Sequence, residues 1–485
     1  MEMTFFGKLG SCRNVTRRSV RTKQGGTRPH YQFRFYNNLT FDRLATPSLR
    51  AAPDVCGVIF SADLDALAKH ARRPLSGLEA DFVSLALAVY LADRCAPRYP
   101  YGRFGPAHWR RRIHIELPLS DPEIWMRAEA KLTHALEFLT EDDWTFRFLP
   151  GRTAFTAEKQ GHFPKPHGPE IAWTSLFSGG LDSLAGAIHR LAQSLGVGLL
   201  VSGQTHSRIA VGQNSQVAEL RNLFPGSVEH VGVGYGFPDK NRHDLNVFES
   251  TQRTRAFIHL SLGAVAAIMS GNSKLYLFEN GFGALNLPCD SAQFGSQNSH
   301  GTHPVFLRRM EDLVSTVFSQ PFGIANPFII STKGQMLSAS GVHRFGPLLQ
   351  KSFSCDHFPN YNHSNSQCGC CPSCIIRRLS FHAAGLPDDA KSYSTDLFQP
   401  KRPLREAELL SLSKLSVQAD SLAACLRSKE PWPALYTKWP DLLRNEIELN
   451  SSSFRDDVIK LLCRHMAEWS AFSSAIHSDS LALAA

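Results

Sequence analysis

The sequence contains no run of about 18 apolar residues, the length that a helix needs to cross a lipid bilayer. Its first residues also lack the apolar segment of a secretory signal. No low-complexity tract and no repeat period stands out, which argues against a disordered chain or a solenoid. These absences predict a globular protein that is neither inserted in a membrane nor exported, and we expect it in the cytoplasm.

Length and charge narrow the class further. The 485 residues are 43% apolar and 20% charged, which is typical of a globular protein with two or three domains. The 52 Lys and Arg residues exceed the 43 Asp and Glu residues, and the net charge of +9 favours anionic partners such as nucleotides, nucleic acid or acidic proteins. One basic stretch is either a solvated tail or an arm for nucleic acid or a protein partner; it comprises Arg13, Arg17, Arg18, Arg21, Lys23, Arg28 and Arg34.

The periodicity of the apolar residues divides the chain into three regions. We expect residues 1–155 to form an N-terminal α+β domain of unknown role, followed by a linker over 156–170. Strands alternate with helices over 171–390, which predicts an α/β domain with a doubly wound parallel sheet, and residues 400–485 predict a C-terminal helical region. The predicted helices are 81–94, 123–139, 184–195, 254–270, 332–340, 406–426 and 453–474, and the predicted strands are 112–117, 144–148, 171–177, 197–201 and 274–278.

The sequence SGGLDS at 178–183 lies between a predicted strand and a predicted helix. Gly179 and Gly180 allow a sharp turn with positive φ, and the free N–H groups at a helix start hold an anion. The hydroxyls of Ser178 and Ser183 can add donors, while Asp182 can cap the helix or orient a magnesium ion bound to phosphates. The alternative is a tight turn in which Asp182 is only an N-cap.

The eleven cysteines include five within 355–374, which favours reduced thiols and metal binding over disulfides. Four of them follow the spacing C-x12-C-x2-C-x2-C, which suits a closed, tetrahedral and structural Zn²⁺ site. We leave Cys370 as a non-ligand. An iron–sulfur cluster or a set of packed or redox-paired cysteines are the alternatives. The predicted ligands are Cys355, Cys368, Cys371 and Cys374.

These motifs together resemble a known family. SGGLDS matches the SGGxDS signature of PP-loop enzymes, which split ATP into AMP and pyrophosphate, and the cysteine motif with Ser354 and Arg377 resembles the 7-cyano-7-deazaguanine synthase (QueC) family. Three further stretches resemble that family's GQxH, R-N-x-x-F-L and T-K motifs: 203–206, 253–257 and Thr332-Lys333. The resemblance covers roughly 171–385 and neither flank.

The resemblance implies an ATP-dependent carbon–nitrogen ligase. In that family, ATP adenylates the carboxylate of 7-carboxy-7-deazaguanine, and ammonia then gives the amide and the nitrile. By resemblance, ATP would contact Ser178, Gly179, Gly180, Leu181, Asp182, Ser183 and Gly203, and the catalytic residues would be Asp182, Lys333, Arg253 and Arg255. The expected substrate contacts are Glu279, Asn280, His303 and Arg377, and the expected cofactors are ATP, Mg²⁺ and Zn²⁺.

The chain also departs from the family pattern. The family's Y-P-D-C-R stretch is absent, and the strand at 274–278 instead leads into Glu279–Asn286, followed by Ser299, Thr302 and His303. This loop and the long flanks resemble QueC-like proteins of bacterial anti-phage defence, including the QatC branch of the Qat system and the QueC-like component of some CBASS operons. In such a protein, the amine of a partner protein could attack the adenylate in place of ammonia.

Several of these residues have a plainer interpretation. Arg253 and Arg255 could bind a carboxylate or phosphate, or could pair with an acid such as Glu249 at a helix end. Glu279 could accept from a purine edge at the end of its strand, or be solvated. His303 could be merely exposed or packed, and Thr332 with Gln335 forms a capping box that favours a structural role for Thr332.

Two other functions remain open at this stage. The acceptor could be a tRNA base, with the basic N-terminus following the phosphates. Alternatively, the fold could serve as a non-catalytic scaffold in a defence complex. The intact SGGLDS sequence argues for chemistry, because a scaffold has no need of a glycine pair beside Asp182.

Overall fold

The computed structural model describes residues 30–36, 41–44, 55–58, 61–98, 110–151, 169–236, 249, 252–289, 300–339, 341–359, 367–400 and 402–482. Most of the predicted linker, Ser299 and all basic residues from Arg13 to Arg28 lie outside this description. Arg34 belongs to a strand and pairs with Glu116 at 2.7 Å. Within the described ranges, no helix is long and apolar enough to cross a membrane.

The N-terminal part forms a five-stranded mixed sheet with helices packed on it. In the strand Asp143–Pro150, the side chains of Trp144, Phe146 and Phe148 are buried and the residues between them are exposed. This is the period of two that a half-buried strand requires. The predicted helices and strands of this part are confirmed. The sheet order is β3-β2-β1-β5-β6, with β1 His30–Phe35, β2 Phe41–Leu44, β3 Val55–Val58, β5 Arg112–Leu119 and β6 Asp143–Pro150, and the helices are α1 Asp65–Ala71, α2 Gly77–Cys95 and α3 Pro122–Thr140.

The second sheet is the parallel one that the alternation of strands and helices predicts. Its order is β11-β10-β7-β8-β9-β4, and the two-residue strand β4 at Ser61–Ala62 is its one antiparallel member among the described strands. The strands are β7 Ile171–Leu176, β8 Val197–Gln204, β9 Val228–Gly236, β10 Lys274–Tyr276 and β11 Gly323–Ala325, and the helices are α4 Leu181–Ala192, α5 Ser207–Leu223, α6 Arg255–Met269, α7 Gly281–Leu285 and α8 Pro304–Phe318.

The strand order of this sheet decides where a ligand can bind. From β7 the chain builds outward to β8 and β9, and then returns to the other side of β7 for β10 and β11. Loops after β7 and β10 therefore leave the sheet in opposite directions and open a crevice between the two strands. The SGGLDS sequence follows β7, and Glu279 follows β10.

The remaining helices surround this sheet. They are α9 Lys333–Ser338, α10 Gly346–Gln350, α11 Pro372–Ala383, α12 Glu406–Leu426, α13 Pro431–Lys438, α14 Asp441–Leu449 and α15 Phe454–Ala482. The helical pattern beyond residue 400 is thus confirmed. Helix α15 packs on α7, α11 and α12, and α14 packs on α8.

The N-terminal part shares a core with the parallel sheet. Strand β4 extends that sheet at β9, and α2 packs on α6, which itself contacts β7 and β8. A buried carboxylate links the two parts, because Asp93 accepts hydrogen bonds from the Thr254 hydroxyl at 2.9 Å and from its N–H at 3.2 Å. The first turn of α6 is thus held from the N-terminal side.

Candidate active site

The turn after β7 has the shape of a phosphate loop. Gly179 adopts a φ of +78°, and a Cβ there would lie 3.1 Å from Cγ of Gln213. Gly180 is the N-cap of α4, and the hydroxyls of Ser178 and Ser183 lie 3.0 Å apart. Because the first N–H groups of a helix have no partner within it, the turn offers both amides and hydroxyls to an anion.

Hydrogen bonds to its backbone carbonyl groups hold this loop in place. The Gly179 carbonyl accepts hydrogen bonds from the Gln216 side chain at 3.0 Å and from the Phe353 N–H at 3.1 Å. The Gln213 side chain donates to the Ser178 carbonyl at 3.1 Å. Neither glutamine was predicted from the sequence, in which the one indication is the spacing of two amide side chains three residues apart.

A buried acid–lysine cluster lies beside the loop. The Asp182 carboxylate is 2.9 Å from Lys333 Nζ and accepts a hydrogen bond from the Asn280 side chain at 2.8 Å. The same Asn280 amide donates to Glu279 at 2.8 Å. The structure therefore brings together four predicted residues from α4, from the loop after β10 and from the first turn of α9. Thr332 and Gln335 form the predicted capping box at α9.

The charges of this cluster depend on each other. Burial would raise the pKa of Asp182, but the Lys333 ammonium and hydrogen bonds from Glu279 and Asn280 outweigh it and lower that pKa to about 2. Burial and the neighbouring Asp182 charge raise the pKa of Glu279 well above its usual value. Burial would lower the pKa of Lys333, but the two carboxyl groups raise it. These shifts favour a carboxylate at Asp182, an ammonium at Lys333 and a protonated carboxyl group at Glu279.

A cavity of about 320 Å³ opens over the phosphate loop at the carboxyl ends of β7, β8 and β10. Its size is at the lower end of that of small-molecule sites. Phe353 and Phe358 form a stacked pair on its wall, with centroids 4.5 Å apart. The predicted residues that line it are Ser178, Gly180, Ser183, Gly203, Arg255 and Glu279, and Thr205, His259 and Thr302 line it as well.

Two predicted residues are instead held in structural contacts. Arg253 precedes α6, donates to the Thr140 carbonyl at 3.3 Å and lies 3.6 Å from the Glu141 carboxylate. His303 is the buried N-cap of α8, accepts from the Val305 N–H, and burial lowers its pKa well below the usual value. The structure does not bring Arg253 or His303 to the cavity.

Leu181 and Arg377 stand behind the loop. The Leu181 side chain is buried in the core, so Leu181 could contact a ligand only through its backbone. The buried Arg377 donates to the carbonyls of Leu349 and Gln350 and to the Ser352 hydroxyl at 2.6 Å. It holds the segment whose Phe353 N–H binds the loop, so its contact with the site is indirect.

The cysteine motif forms a compact group of thiols next to this segment. The four predicted ligands are buried, and Sγ atoms of Cys368 and Cys374 lie 3.9 Å apart. Backbone N–H groups of residues 368, 371 and 374 point at the sulfurs of Cys355, Cys368 and Cys371 at 3.3–3.4 Å. Sulfur donors converging in this way suit a metal ion such as zinc or iron.

Two further groups lie at the rim of this cluster. Nδ1 of the exposed His357 is 3.8 Å from Sγ of Cys355, and it shares a space within 4.8 Å with Cys355, Cys368 and Cys371. Cys370 Sγ is 3.9 Å from Cys368 Sγ. His357 was not among the predicted ligands, although it lies two residues after Cys355 in the sequence. The chain thus has a cysteine-rich group that can hold a metal.

Comparison with known proteins finds a family match for one segment of the chain. Residues 300–385 match the family model described as "Queuosine biosynthesis protein QueC". Over this segment the chain is QueC-like. The matched segment carries Lys333, the cysteine motif and Arg377, but it does not include the phosphate loop. It is narrower than the resemblance over 171–385 that the sequence motifs indicate.

One curated relative is similar to a short stretch of the chain. The chain is 33% identical over 85 residues to the 7-cyano-7-deazaguanine synthase of Marinobacter nauticus (strain ATCC 700491 / DSM 11845 / VT8). That stretch is 18% of this chain and 35% of the relative. The chain therefore spans about a third of the length of the curated relative that it matches. The QueC-like segment and the α/β architecture with a parallel sheet together indicate a PP-loop fold.

The cysteine cluster makes a prediction about metal content. We expect purified protein to hold about one zinc ion per chain, and Cys371→Ser to lose it and to melt at a lower temperature, because Cys371 belongs both to the four-cysteine set and to the group that includes His357. Elemental analysis and thermal unfolding measure both effects. Cys463→Ser, which changes an exposed cysteine on α15, should keep the metal and the melting temperature. Iron in place of zinc, or full metal retention by Cys371→Ser, would contradict the assignment.

The raised pKa of Glu279 makes a prediction about pH. Folding keeps a proton on Glu279 that the unfolded chain releases above the ordinary glutamate pKa of 4.5. The wild-type free energy of unfolding should therefore fall, relative to that of Glu279→Gln, by up to about 1.4 kcal/mol per pH unit as pH rises from 4.5 towards the raised pKa. Urea unfolding at a series of pH values measures this difference. A difference that does not change with pH would show that Glu279 does not retain its proton.

Proposed function

We propose that this protein uses ATP to adenylate the carboxylate of a 7-deazaguanine acid and then forms a carbon–nitrogen bond, releasing AMP and pyrophosphate. The observation that carries the proposal is a phosphate loop with a positive-φ glycine that opens onto a cavity beside the buried Lys333–Asp182 pair. Similarity to a 7-cyano-7-deazaguanine synthase over 85 residues supports the substrate class.

The proposed reaction has two stages. An oxygen of the substrate carboxylate attacks the α-phosphorus of ATP, and pyrophosphate leaves with the electrons of the broken bond. An amine then attacks the acyl carbon, AMP leaves, and the nitrogen loses its proton to solvent, which gives an amide. If ammonia is the amine, a second adenylation of the amide oxygen followed by loss of AMP and protons gives a nitrile.

Residues around the cavity can assist each stage. The loop amides and the hydroxyls of Ser178 and Ser183 can hold the departing pyrophosphate. Lys333 lies next to the loop with its charge balanced by Asp182, so a phosphate can compete for the same ammonium. Asp182 could also hold a magnesium ion that would arrive with ATP.

A structural role for Zn²⁺ follows from the position of its proposed ligands. The ion would be held by Cys355, Cys368, Cys371 and Cys374, whose closed sulfur set leaves no position for a substrate. The metal would hold the segment from Phe353 to Phe358 in place. These two phenylalanines form part of the cavity wall. It would therefore shape the cavity and supply no chemistry of its own.

We further propose that the acceptor is an amine of a partner protein, within a cytoplasmic anti-phage defence system of the Qat type. The support is the resemblance of the Glu279–Asn286 loop to that branch. In addition, the QueC family model matches only residues 300–385, so the Glu279–Asn286 loop and both flanks lie outside the match. The product would then be an amide that links the deazapurine to the partner.

The phosphate loop can be tested with a matched pair of glycine variants. Gly179→Ala should lower ATP–pyrophosphate exchange, measured with 7-carboxy-7-deazaguanine, by at least about tenfold, because a Cβ disfavours the positive φ by ~1–2 kcal/mol and moves the loop amides. Gly226 has a φ of +74° and open space around it, so Gly226→Ala carries the same backbone cost away from the site. Equal exchange rates in the two variants would rule out the loop as the phosphate site.

The acceptor can be identified by intact mass. After incubation with ATP and 7-carboxy-7-deazaguanine, a partner protein that accepts the deazapurine should gain the mass of the acid less one water. The same incubation with ammonium should give a free amide or nitrile when ammonia is the acceptor. An unmodified partner, together with a nitrile product, would replace the conjugation proposal with the ammonia reaction.

A further inference from the structure

One wall of the cavity carries a pair of polar side chains from α6. Arg255 and His259 both line the cavity, and they are four residues apart on one helix. Side chains at that spacing lie on the same face with Cβ atoms about 5–6 Å apart. Neither Arg255 nor His259 belongs to the phosphate loop or to the Asp182 cluster, so the pair marks a separate part of the cavity.

The His259 ring is held in place on two sides. Its Nε2 lies 2.8 Å from the Tyr235 hydroxyl, which comes from β9. A Cβ on Gly203 would lie 2.5 Å from the ring, so the ring fits only because residue 203 is glycine. Nδ1 makes no hydrogen bond within the described part of the chain, and the half-buried side chain lines the cavity. One ring nitrogen is therefore fixed by the protein, and the other remains for a ligand.

The two side chains differ in charge. Burial, together with the nearby Arg255 charge, lowers the pKa of His259 to about 3, so the ring is neutral at physiological pH. Burial also raises the pKa of Tyr235 well above its usual value, which keeps its hydroxyl protonated. A neutral imidazole bonded at one nitrogen can form one more directed hydrogen bond, but it cannot neutralise an anion. Only the guanidinium of Arg255 can do that.

We propose that Arg255 and His259 form an acid-recognition pair: Arg255 binds the carboxylate of the substrate, and His259, held by Tyr235, hydrogen-bonds the uncharged edge of the heterocycle next to it. This inference rests on the proposed function and adds the subsite that selects the acid. The substrate class is a carboxylate joined to a polar heterocycle. A plain aromatic acid would satisfy Arg255 and leave His259 without a partner, which lowers its affinity.

The test compares two acids, 7-carboxy-7-deazaguanine and indole-3-carboxylate, in ATP–pyrophosphate exchange and in calorimetric binding with a non-hydrolysable ATP analogue. His259→Leu should raise KM for the deazapurine acid about tenfold, leave KM for ATP within about twofold, and remove most of the preference for the deazapurine acid over the indole acid. Tyr235→Phe should change KM in the same direction by a smaller factor, because the ring stays but loses its partner.

His230→Leu is the control. His230 also has a pKa lowered by burial, and its ring hydrogen-bonds Ser202 rather than facing the cavity. The His230→Leu variant should therefore leave the ratio of the kcat/KM values for the two acids unchanged. Thermal unfolding of each variant separates loss of fold from loss of recognition, and the more conservative Tyr235→Phe keeps the test valid if His259→Leu does not fold.

The outcomes separate this inference from the proposed function. If wild-type protein performs exchange and His259→Leu keeps the same preference between the acids, the acid-recognition pair is wrong and the function stands. If wild-type protein binds the deazapurine acid without any exchange, and His259→Leu loses that binding, the pair stands and the adenylation proposal is wrong. If wild-type protein neither binds nor turns over the acid, both are wrong.

Discussion

The ion pair between Lys333 and Asp182 is the contact on which the candidate site depends. It joins the start of α9 to the first turn of α4, and Asn280 adds the loop after β10 to the same carboxylate. These three segments come from distant parts of the sequence and meet only because the strand order places β7 beside β10. Removing one partner would leave a buried charge uncompensated, which is more costly than the pair is stabilising.

The same cluster limits how much charge the site can hold. Asp182 and Glu279 lie close together, and they coexist because Lys333 compensates one of them and a proton neutralises the other. The phosphate loop sits next to this balanced set, with its carbonyls turned towards Gln213, Gln216 and Phe353. The loop therefore presents its amides to the cavity without an acid competing for them. Positive charge on the cavity wall formed by α6 comes from Arg255.

The sequence predicted the parts of the site that local patterns encode. The strand–turn–helix context of SGGLDS, the capping box at Thr332 and the spacing of the cysteines are local, and the structure has the expected strand, helix and thiol cluster at those places. Gln213, Gln216 and His259 escaped prediction because their partners are carbonyls, a hydroxyl and a glycine on other elements. Arg253 and His303 resembled functional residues in sequence, but burial and helix capping, which depend on tertiary contacts, account for their placement.

The contacts of α15 determine how the chain can be divided into fragments. Its Glu468 accepts a hydrogen bond from Thr332, Arg464 donates to the Ile330 carbonyl at 2.6 Å, and His465 stacks on Phe282 at 3.7 Å. A fragment that ended at residue 385, where the family match stops, would lack α15. Thr332, the Ile330 carbonyl and Phe282 would then lose these partners and be exposed to water. The segment that resembles a known family therefore depends on α15 for its packing. A fragment made for expression would have to include that helix.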